Sequence, residues 1–298
     1  MSKTHGDHSH VPSGEGASNK LLWAFLINLI FLIVEVIGGV VSGSMALLAD
    51  AGHMLSDVVA LGAAVWVSKA MRSPATKQKT YGYGRLEVIS GLLNGLILWG
   101  IVVWIMVAAI GRFTNPEDVS GEIMLPVAIA GLLANVVSAW ILFSDRDSDL
   151  NNKQAYLHLL SDAAGSVGAV IAGVALLIGG WVWLDTLVSI IIGLFILVGS
   201  FSLVRQAFHI LLEGVPPDID CEKIREKLIS QREIQGVHDI HTWLIGSKEI
   251  VLTAHLLPTS GYSQQEVLDS AKGAMAESFS IHHVTFQVED PLCLTDHE

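Results

Sequence analysis

Six long apolar segments dominate the sequence, and each is long enough to cross a lipid bilayer as a helix. Crossing the hydrocarbon core takes about 20 predominantly apolar residues. The chain has 298 residues, of which 51% are hydrophobic and only 15% charged, so lipid has to solvate much of its surface. We therefore expect an integral, multi-pass membrane protein with transmembrane helices at Leu21–Gly43, Ala46–Ser68, Leu86–Arg112, Met124–Phe143, Ala155–Gly179 and Trp183–Val204.

Basic residues in two connections predict the orientation of these helices. Loops rich in Lys and Arg stay on the cytoplasmic side of a membrane. The connection between the second and third segments and the one between the fourth and fifth carry Lys69, Arg72, Lys77, Lys79, Arg85, Arg146 and Lys153. Both connections, and with them both termini, are therefore expected in the cytoplasm, with the protein in the plasma or inner membrane of the cell.

The residues after the sixth segment predict a small soluble domain. Pro216 and Pro217 break the last helix, and patterns typical of helix, strand, strand, helix and strand follow. This αββαβ order indicates a small open-faced sandwich. From Glu213 on there are fifteen acidic and six basic residues, so nucleic acid is not expected as a partner. Cys221 and Cys293 form no CxxC pair, so neither a disulfide framework nor a thiolate zinc site is expected.

Two of the apolar segments contain the same polar motif, His-x-Leu-Ser-Asp. It occurs from His53 to Asp57 (HMLSD) in the second segment and from His158 to Asp162 (HLLSD) in the fifth. An Asp at the centre of a membrane helix costs roughly 2.5–3.5 kcal/mol, so ionisable residues there are functional candidates. Residues four apart lie on one helix face, so each helix can offer an imidazole nitrogen and a carboxylate oxygen to a shared point.

Together, His53, Asp57, His158 and Asp162 provide two nitrogen and two oxygen ligands, which suits tetrahedral Zn²⁺. Imidazole favours Zn²⁺ and similar ions over Mg²⁺ or Ca²⁺, although ligand type alone leaves Fe²⁺ and Mn²⁺ open. Two other interpretations are that each His bonds to an Asp and packs the helices, or that a zinc ion here only staples the structure. We prefer a transported ion, because the insertion cost is incurred in both helices.

Other polar residues within the apolar segments are weaker candidates. Asp50 lies on the same helix face as Asp57, where it is either a further carboxylate near the ion pathway or a residue near the membrane interface. Glu35 in the first segment is a candidate for carrying a proton. A hydrogen bond to a neighbouring helix accounts equally well for Asn28, Asn94 and Asn135.

Longer motifs make the chain resemble the cation diffusion facilitator family. They run from Ser44 to His53 (SMALLADAGH) with Asp57, from Tyr81 to Glu87 (YGYGRLE), from His158 to Asp162, and from Leu211 to Pro216 (LLEGVP). The resemblance extends from about Leu21 to Asp290, and the His-x-x-x-Asp pattern in both helices resembles the zinc-type branch. It implies six transmembrane helices, a cytoplasmic ferredoxin-like domain, a homodimer and metal–proton antiport.

The resemblance leads to a division of the chain into four parts. We expect a flexible tail at residues 1–20, a six-helix transmembrane domain at 21–212, a cytoplasmic ferredoxin-like domain for metal sensing and dimerisation at 213–291, and a short tail at 292–298. The first tail bears histidines that are candidates for loose capture of metal, namely His5, His8 and His10.

The resemblance also implies a cytoplasmic metal site at His238, His255 and Glu289. That these are ordinary strand residues is the alternative. Alternate residues of a regular strand share a face, which puts His241 on the face opposite His238. Some relatives have His where this chain has Gln287, so we expect one ion here rather than a two-metal cluster.

The function expected from these features is export of a divalent transition metal from the cytoplasm by proton antiport. Zn²⁺ is the expected substrate, with Cd²⁺ and Co²⁺ as further candidates, and it is also the expected regulatory ligand of the cytoplasmic site. The alternatives are an exporter of Fe²⁺, Mn²⁺ or Ni²⁺, a metal sensor without flux, and an intramembrane zinc hydrolase. The hydrolase lacks support because no His-Glu-x-x-His motif is present. Neither enzyme activity nor an organic cofactor is expected; the expected partners are lipid, a second copy of the chain and protons.

Overall fold

The structure, a computed structural model, describes residues 15–115, 118–143, 150–246 and 249–289. The histidines His5, His8 and His10 and the predicted tail at 292–298 lie outside these residues. The described residues form eight helices and three strands, in the order α1 Glu15–Ser42, α2 Met45–Met71, α3 Arg85–Thr114, α4 Gly121–Phe143, α5 Leu150–Gly179, α6 Val182–Leu211, α7 Cys221–Ile229, β1 Ile234–Leu244, β2 Ile250–Pro258, α8 Gln264–Phe279 and β3 His283–Val288.

Helices α1 to α6 confirm the predicted set of membrane-spanning segments. Each contains a stretch that is long and apolar enough to cross a membrane. Large apolar side chains on these helices are left exposed, among them Ile178, Trp140 and Phe195, whose exposed fractions are 84%, 76% and 75%. Lipid rather than water is the solvent that such surfaces require, and the helical backbone satisfies its own hydrogen bonds there.

The described residues divide into two compact units. The first comprises the residues up to Val59 together with Ile97–Gly199, and the second comprises Ala60–Leu96 together with the residues from Ser200 on. Helices α2, α3 and α6 therefore contribute to both units. The domain boundaries expected from the sequence stay a prediction.

In the first unit, small residues bring α4 close to both α1 and α5. A Cβ atom added at Gly131 of α4 would lie 2.6 Å from the Phe31 ring of α1. One added at Gly173 of α5 would lie 3.2 Å from the backbone of Leu125 in α4. Small residues at helix contacts allow the close packing that stabilises helix pairs in lipid. Helix α4 is thus held between α1 and α5.

Helix α2 begins at a tight turn and is capped by a residue of a distant helix. Gly43, with φ of +71°, turns the chain out of α1. The Asp185 carboxylate of α6 accepts hydrogen bonds from the Ser44 hydroxyl (2.6 Å) and from the backbone amides of Met45 (2.9 Å) and Ala46 (3.3 Å). Intrahelical carbonyls cannot satisfy the first amides of a helix, and a negative charge is favourable at that end.

Arg112, near the end of α3, completes this cap. Its guanidinium lies 3.7 Å from Asp185 Oδ2 and donates a hydrogen bond of 2.6 Å to the Gly43 carbonyl. Asp185 is only 1% exposed, so the cap is formed away from solvent. The sequence interpretation did not single out Asp185, although an acidic residue within the apolar segment that begins at Trp183 was a detectable feature.

Replacing Asp185 with Ala is expected to lower the free energy of unfolding by about 3–5 kcal/mol, because it removes a helix cap together with the buried partner of Arg112. Unfolding of the purified protein in mixed micelles measures this loss. Asp185→Asn keeps an oxygen acceptor and should lose less. The matched control, Asp118→Asn in an exposed connection, should behave like the unmodified protein. Equal stability of Asp185→Ala and the unmodified protein would contradict the cap.

In the second unit, the predicted αββαβ order is confirmed. The sheet has the order β1-β2-β3, with β1 and β2 antiparallel and β2 and β3 parallel. Helices α7 and α8 pack on one face of the sheet, where the apolar core includes Ile224, Leu228, Leu252, Leu256, Val267 and Met275. The opposite face carries polar side chains from all three strands.

Candidate metal centres

The two His-x-Leu-Ser-Asp motifs meet in the first compact unit. His158 Nε2 lies 3.0 Å from Asp57 Oδ2, and His53 Nε2 lies 3.5 Å from Asp162 Oδ1. Within the helices, His53 Nε2 lies 3.8 Å from Asp57 Oδ2, and His158 Nε2 lies 3.6 Å from Asp162 Oδ2. Each histidine therefore faces the aspartate of the other helix as well as the one a turn further along its own.

The spacing of these atoms fits a tetrahedral zinc ion. Bonds of about 2.0–2.1 Å to zinc put neighbouring ligand atoms about 3.3 Å apart. The four His–Asp distances, from 3.0 to 3.8 Å, bracket this value. The ligand atoms of His53, His158 and Asp162 lie within 4.8 Å of one another, and the two imidazole rings meet edge to face with centroids 5.5 Å apart. Asp57 is not part of that group, so an ion held by all four residues requires their side chains to draw closer together.

The centre is buried on one side and open on the other. The exposed fraction of the side chain is 7% for Asp162 and 25% for His53, but 39% for Asp57 and 43% for His158. Asp57 and His158 are thus the more exposed residues of the four, and Asp162 is the most buried. Among the described residues, His53 Nδ1 has no hydrogen-bond partner. No carboxylate therefore orients the His53 ring through this second nitrogen.

Two of the weaker candidates from the sequence, Asp50 and Asn135, are joined through Ser166. The Ser166 hydroxyl lies 3.1 Å from Asp50 Oδ2 and accepts a hydrogen bond of 3.1 Å from Asn135 Nδ2. Glu35 of α1 is buried, at 1% exposed. Within the part of the chain that the structure describes, Asn28 Oδ1 is buried without a partner. The Ser166 hydroxyl also lies 3.1 Å from the Asp162 backbone carbonyl, so Asp50 and Asn135 border the centre.

The second compact unit brings together His238, His255 and Glu289. Glu289 Oε1 lies 2.7 Å from His255 Nδ1, and its Oε2 lies 3.2 Å from His238 Nε2. The ligand atoms of the three residues lie within 4.8 Å of one another. The strand register brings the three residues together. His238 pairs with His255 across β1 and β2, and His255 pairs with Gln287 across β2 and β3. The Gln287 amide then donates a hydrogen bond of 3.0 Å to Glu289 Oε1. The role of the three residues as metal ligands stays a prediction.

The expected position of His241 was wrong. Strand β1 contains a bulge between His238 and His241, where three steps along β1 match two along β2. Asp239 lies within this bulge with φ of +52°, a left-handed conformation that few residues other than glycine adopt. The bulge shifts the alternation of side chains. His241, which pairs with Thr253, therefore lies on the same face of the sheet as His238.

Asp239 is the residue of this cluster that the sequence interpretation missed. Its Oδ1 lies 2.8 Å from His241 Nε2, and its Oδ2 lies 3.6 Å from His255 Nε2. The hydrogen bond to His241, and the nearby His255 and His238, hold the pKa of Asp239 below its ordinary value. A carboxylate on the second nitrogen orients the ring of a metal-binding histidine. The sequence contained one indication of the special role of Asp239, because Asp is disfavoured within a β-strand.

Comparisons with known proteins match both parts of the chain. A family model described as the cation efflux transmembrane domain matches residues 21–212, and one described as the cation efflux protein cytoplasmic domain matches residues 216–291. The metal cation efflux system protein CzcD of Cupriavidus metallidurans is 37% identical over 287 residues, which cover 96% of this chain and 90% of that protein. The zinc transporter ZitB of Escherichia coli is 37% identical over 287 residues, with coverages of 96% and 91%. A cadmium, cobalt and zinc/H⁺-K⁺ antiporter of Bacillus subtilis is 38% identical over 288 residues, with coverages of 95% and 91%.

Proposed function

This chain belongs to the cation efflux family, and on that premise we propose that it exports divalent transition-metal cations from the cytoplasm in exchange for protons. Zn²⁺ is the main proposed substrate, with Cd²⁺ and Co²⁺ as further ones, in line with the names of its relatives. Family membership indicates a transporter rather than an enzyme. The proposed location is the plasma or inner membrane, with both termini in the cytoplasm.

The observation that carries the proposal is the convergence of His53, Asp57, His158 and Asp162 within two membrane-spanning segments. Two imidazole nitrogens and two carboxylate oxygens form a set that favours Zn²⁺ over Mg²⁺ and Ca²⁺. Charged groups at membrane depth are expensive and line the routes of transported ions. The presence of this costly His and Asp pair in two membrane helices supports a transported ion over a structural one.

Exchange with protons follows from the chemistry of these ligands. Histidine and aspartate bind metal in their deprotonated forms, so protons and metal compete for the same side chains. A site that faces the near-neutral cytoplasm would load Zn²⁺, and protons would displace the ion once the site faces outwards. Rocking of the helices around a fixed site would connect the two states. The name of the Bacillus subtilis relative also includes counter-transported cations.

We further propose that the cytoplasmic residues His238, His255 and Glu289 bind a regulatory Zn²⁺ and that the chain acts as a homodimer. The match to the cytoplasmic domain of cation efflux proteins supports this assignment. Regulation requires that the ion bind more tightly to one conformation of the transporter than to another. High cytoplasmic zinc would then favour the conformation that loads the transmembrane site.

Reconstituted vesicles that contain a zinc dye and a pH dye test the proposed function. We expect zinc to enter in a protein-dependent manner while protons move the other way, with Cd²⁺ and Co²⁺ competing and Mg²⁺ without effect. Vesicles without protein provide the control. Zinc movement without opposing proton movement would contradict proton exchange, and binding without any flux would indicate a metal sensor instead.

A further inference from the structure

A cavity of about 600 Å³ lies within the second compact unit, and we term it the groove. Its walls are formed by the last turns of α2, the first turns of α3 and Leu203 of α6, and the connection between β1 and β2 contributes Gly246 and Glu249. None of the residues proposed above as metal ligands lines it. Ligand pockets have volumes of roughly 300–1,000 Å³, so the groove is large enough for a ligand of its own.

The groove follows the membrane helices over the depth of one lipid leaflet. Along α2 it extends from Met71, the last residue of the helix, back to Ala60. Along α3 it extends from Gly84, directly before the helix, to Asn94. Ten or eleven residues of helix rise about 15–16 Å. One leaflet contributes about half of a hydrocarbon core that is about 30 Å thick, so the length of the groove matches that of a lipid chain.

The sides of the groove that α2 and α6 provide are apolar. Helices α3 and α6 are in close contact at Gly95, where an added Cβ atom would lie 2.5 Å from Val204 Cγ2. One added at Gly91 would lie 4.0 Å from Leu203 Cδ2, so space opens beside Gly91. Leu203 and Met71 line this space and are exposed. Apolar surface of this kind is better covered by an acyl chain than by water.

Charged side chains of both signs lie at the end of the groove where α2 ends and α3 begins. Arg72 directly follows α2, Glu87 lies in the first turn of α3, and Glu249 directly precedes β2. Within the described ranges, no ion pair joins Arg72 or Glu87 to another side chain, whereas Glu249 Oε1 lies 3.5 Å from His283 Nδ1. A guanidinium binds phosphate, and carboxylates accept hydrogen bonds from an ammonium group. This end therefore suits a headgroup that carries both charges.

We propose that the groove binds one molecule of phosphatidylethanolamine from the surrounding bilayer. Its phosphate lies at Arg72, its primary ammonium at Glu87 and Glu249, and one acyl chain along Met71 and Leu203. An anionic headgroup such as phosphatidylglycerol brings no positive charge to the two carboxylates. The quaternary ammonium of phosphatidylcholine has no N–H to donate to them. The inference uses only the second compact unit and the membrane helices, so it does not depend on which ion the protein transports.

Native mass spectrometry of the full-length protein in mild detergent, titrated with lipids of identical acyl chains, tests the proposal. We expect one phosphatidylethanolamine per chain to bind at least about fivefold more tightly than phosphatidylcholine or phosphatidylglycerol. Arg72→Gln should weaken its binding at least about fivefold, and Glu87→Gln should remove most of the preference over phosphatidylcholine. The matched controls are Lys77→Gln, in the same exposed connection, and Glu122→Gln, on the exposed side of α4. Neither residue lines the groove, so both variants should bind like the unmodified protein.

A variant that fills the groove provides a second test. Gly91→Leu places a side chain in the space beside Leu203 and should abolish the bound lipid, whereas Gly62→Leu, outside the groove on α2, should retain it. Equal binding of the three lipids overturns the proposal, as does a lipid that Gly91→Leu still holds. A Lys77→Gln variant that loses as much binding as Arg72→Gln also overturns it, because general attraction to the basic connection then accounts for the lipid. If Gly91→Leu does not fold, the Arg72→Gln and Glu87→Gln variants decide.

Discussion

Asp57→Ala and Asp162→Ala are each expected to lower zinc flux at least about 100-fold, because each removes one of the four proposed ligands of the transported cation. Asp57 bonds to His158 and Asp162 to His53, so either change leaves one histidine without its opposite partner. Initial rates of zinc entry into reconstituted vesicles, normalised to the amount of protein inserted, measure the effect.

The control for these variants is Asp118→Ala, which removes an exposed carboxyl from a connection between helices. It should transport at the rate of the unmodified protein. Titration of purified protein adds a second measurement, since loss of a ligand should weaken zinc binding along with flux. If both Asp57→Ala and Asp162→Ala transport zinc normally, the four residues are not the transport site.

Glu289→Ala is expected to weaken zinc binding at the cytoplasmic centre at least about 100-fold while leaving the transmembrane centre intact. Glu289 contacts both His255 and His238, so its loss removes the anionic ligand and the link between the two rings. Titration of purified protein should show one tight site fewer, and flux should require a higher zinc concentration on the cytoplasmic side.

Glu277→Ala, on the exposed side of α8, is the matched control for this variant. It should retain both the number of tight sites and the concentration dependence of flux. An unchanged number of tight sites in Glu289→Ala would show that the three cytoplasmic residues do not bind zinc together. A lower maximal flux at saturating zinc would point to a role in transport itself.

Much of the transmembrane arrangement could be predicted because it depends on local patterns. The length of an apolar run determines whether it spans a bilayer, and the interval of four residues puts His53 beside Asp57, and His158 beside Asp162, on a helix. The repeated motif then indicated which two helices should face each other. In the structure each histidine of the two motifs lies 3.0–3.8 Å from both aspartates, while the role of the four residues as metal ligands stays a prediction.

Other features depend on contacts that no local pattern encodes. The sequence interpretation assumed that side chains alternate regularly between the two faces of β1. The bulge at Asp239 breaks this alternation and puts His241 on the same face as His238. The cap of α2 involves Ser44 and Asp185, which are 141 residues apart in the chain. Ser166 joins Asp50 of α2 to Asn135 of α4, so these two residues could be identified as unusual but not as parts of one hydrogen-bonded chain. Pairings of this kind are decided by tertiary packing rather than by propensity.

The origin of the cap in α6 has a consequence for biogenesis. A nascent chain is inserted from its N-terminus, so α2 and α5, with all the proposed transmembrane ligands, enter the bilayer before Asp185 does. Until then the first amides of α2 have no carboxylate partner, and the hydrogen bonds that join this end of α2 to α6 are absent. We therefore expect the geometry of the proposed transmembrane site to mature only when the sixth helix inserts. An assembly intermediate with five helices should contain all four proposed transmembrane ligands and yet bind metal poorly.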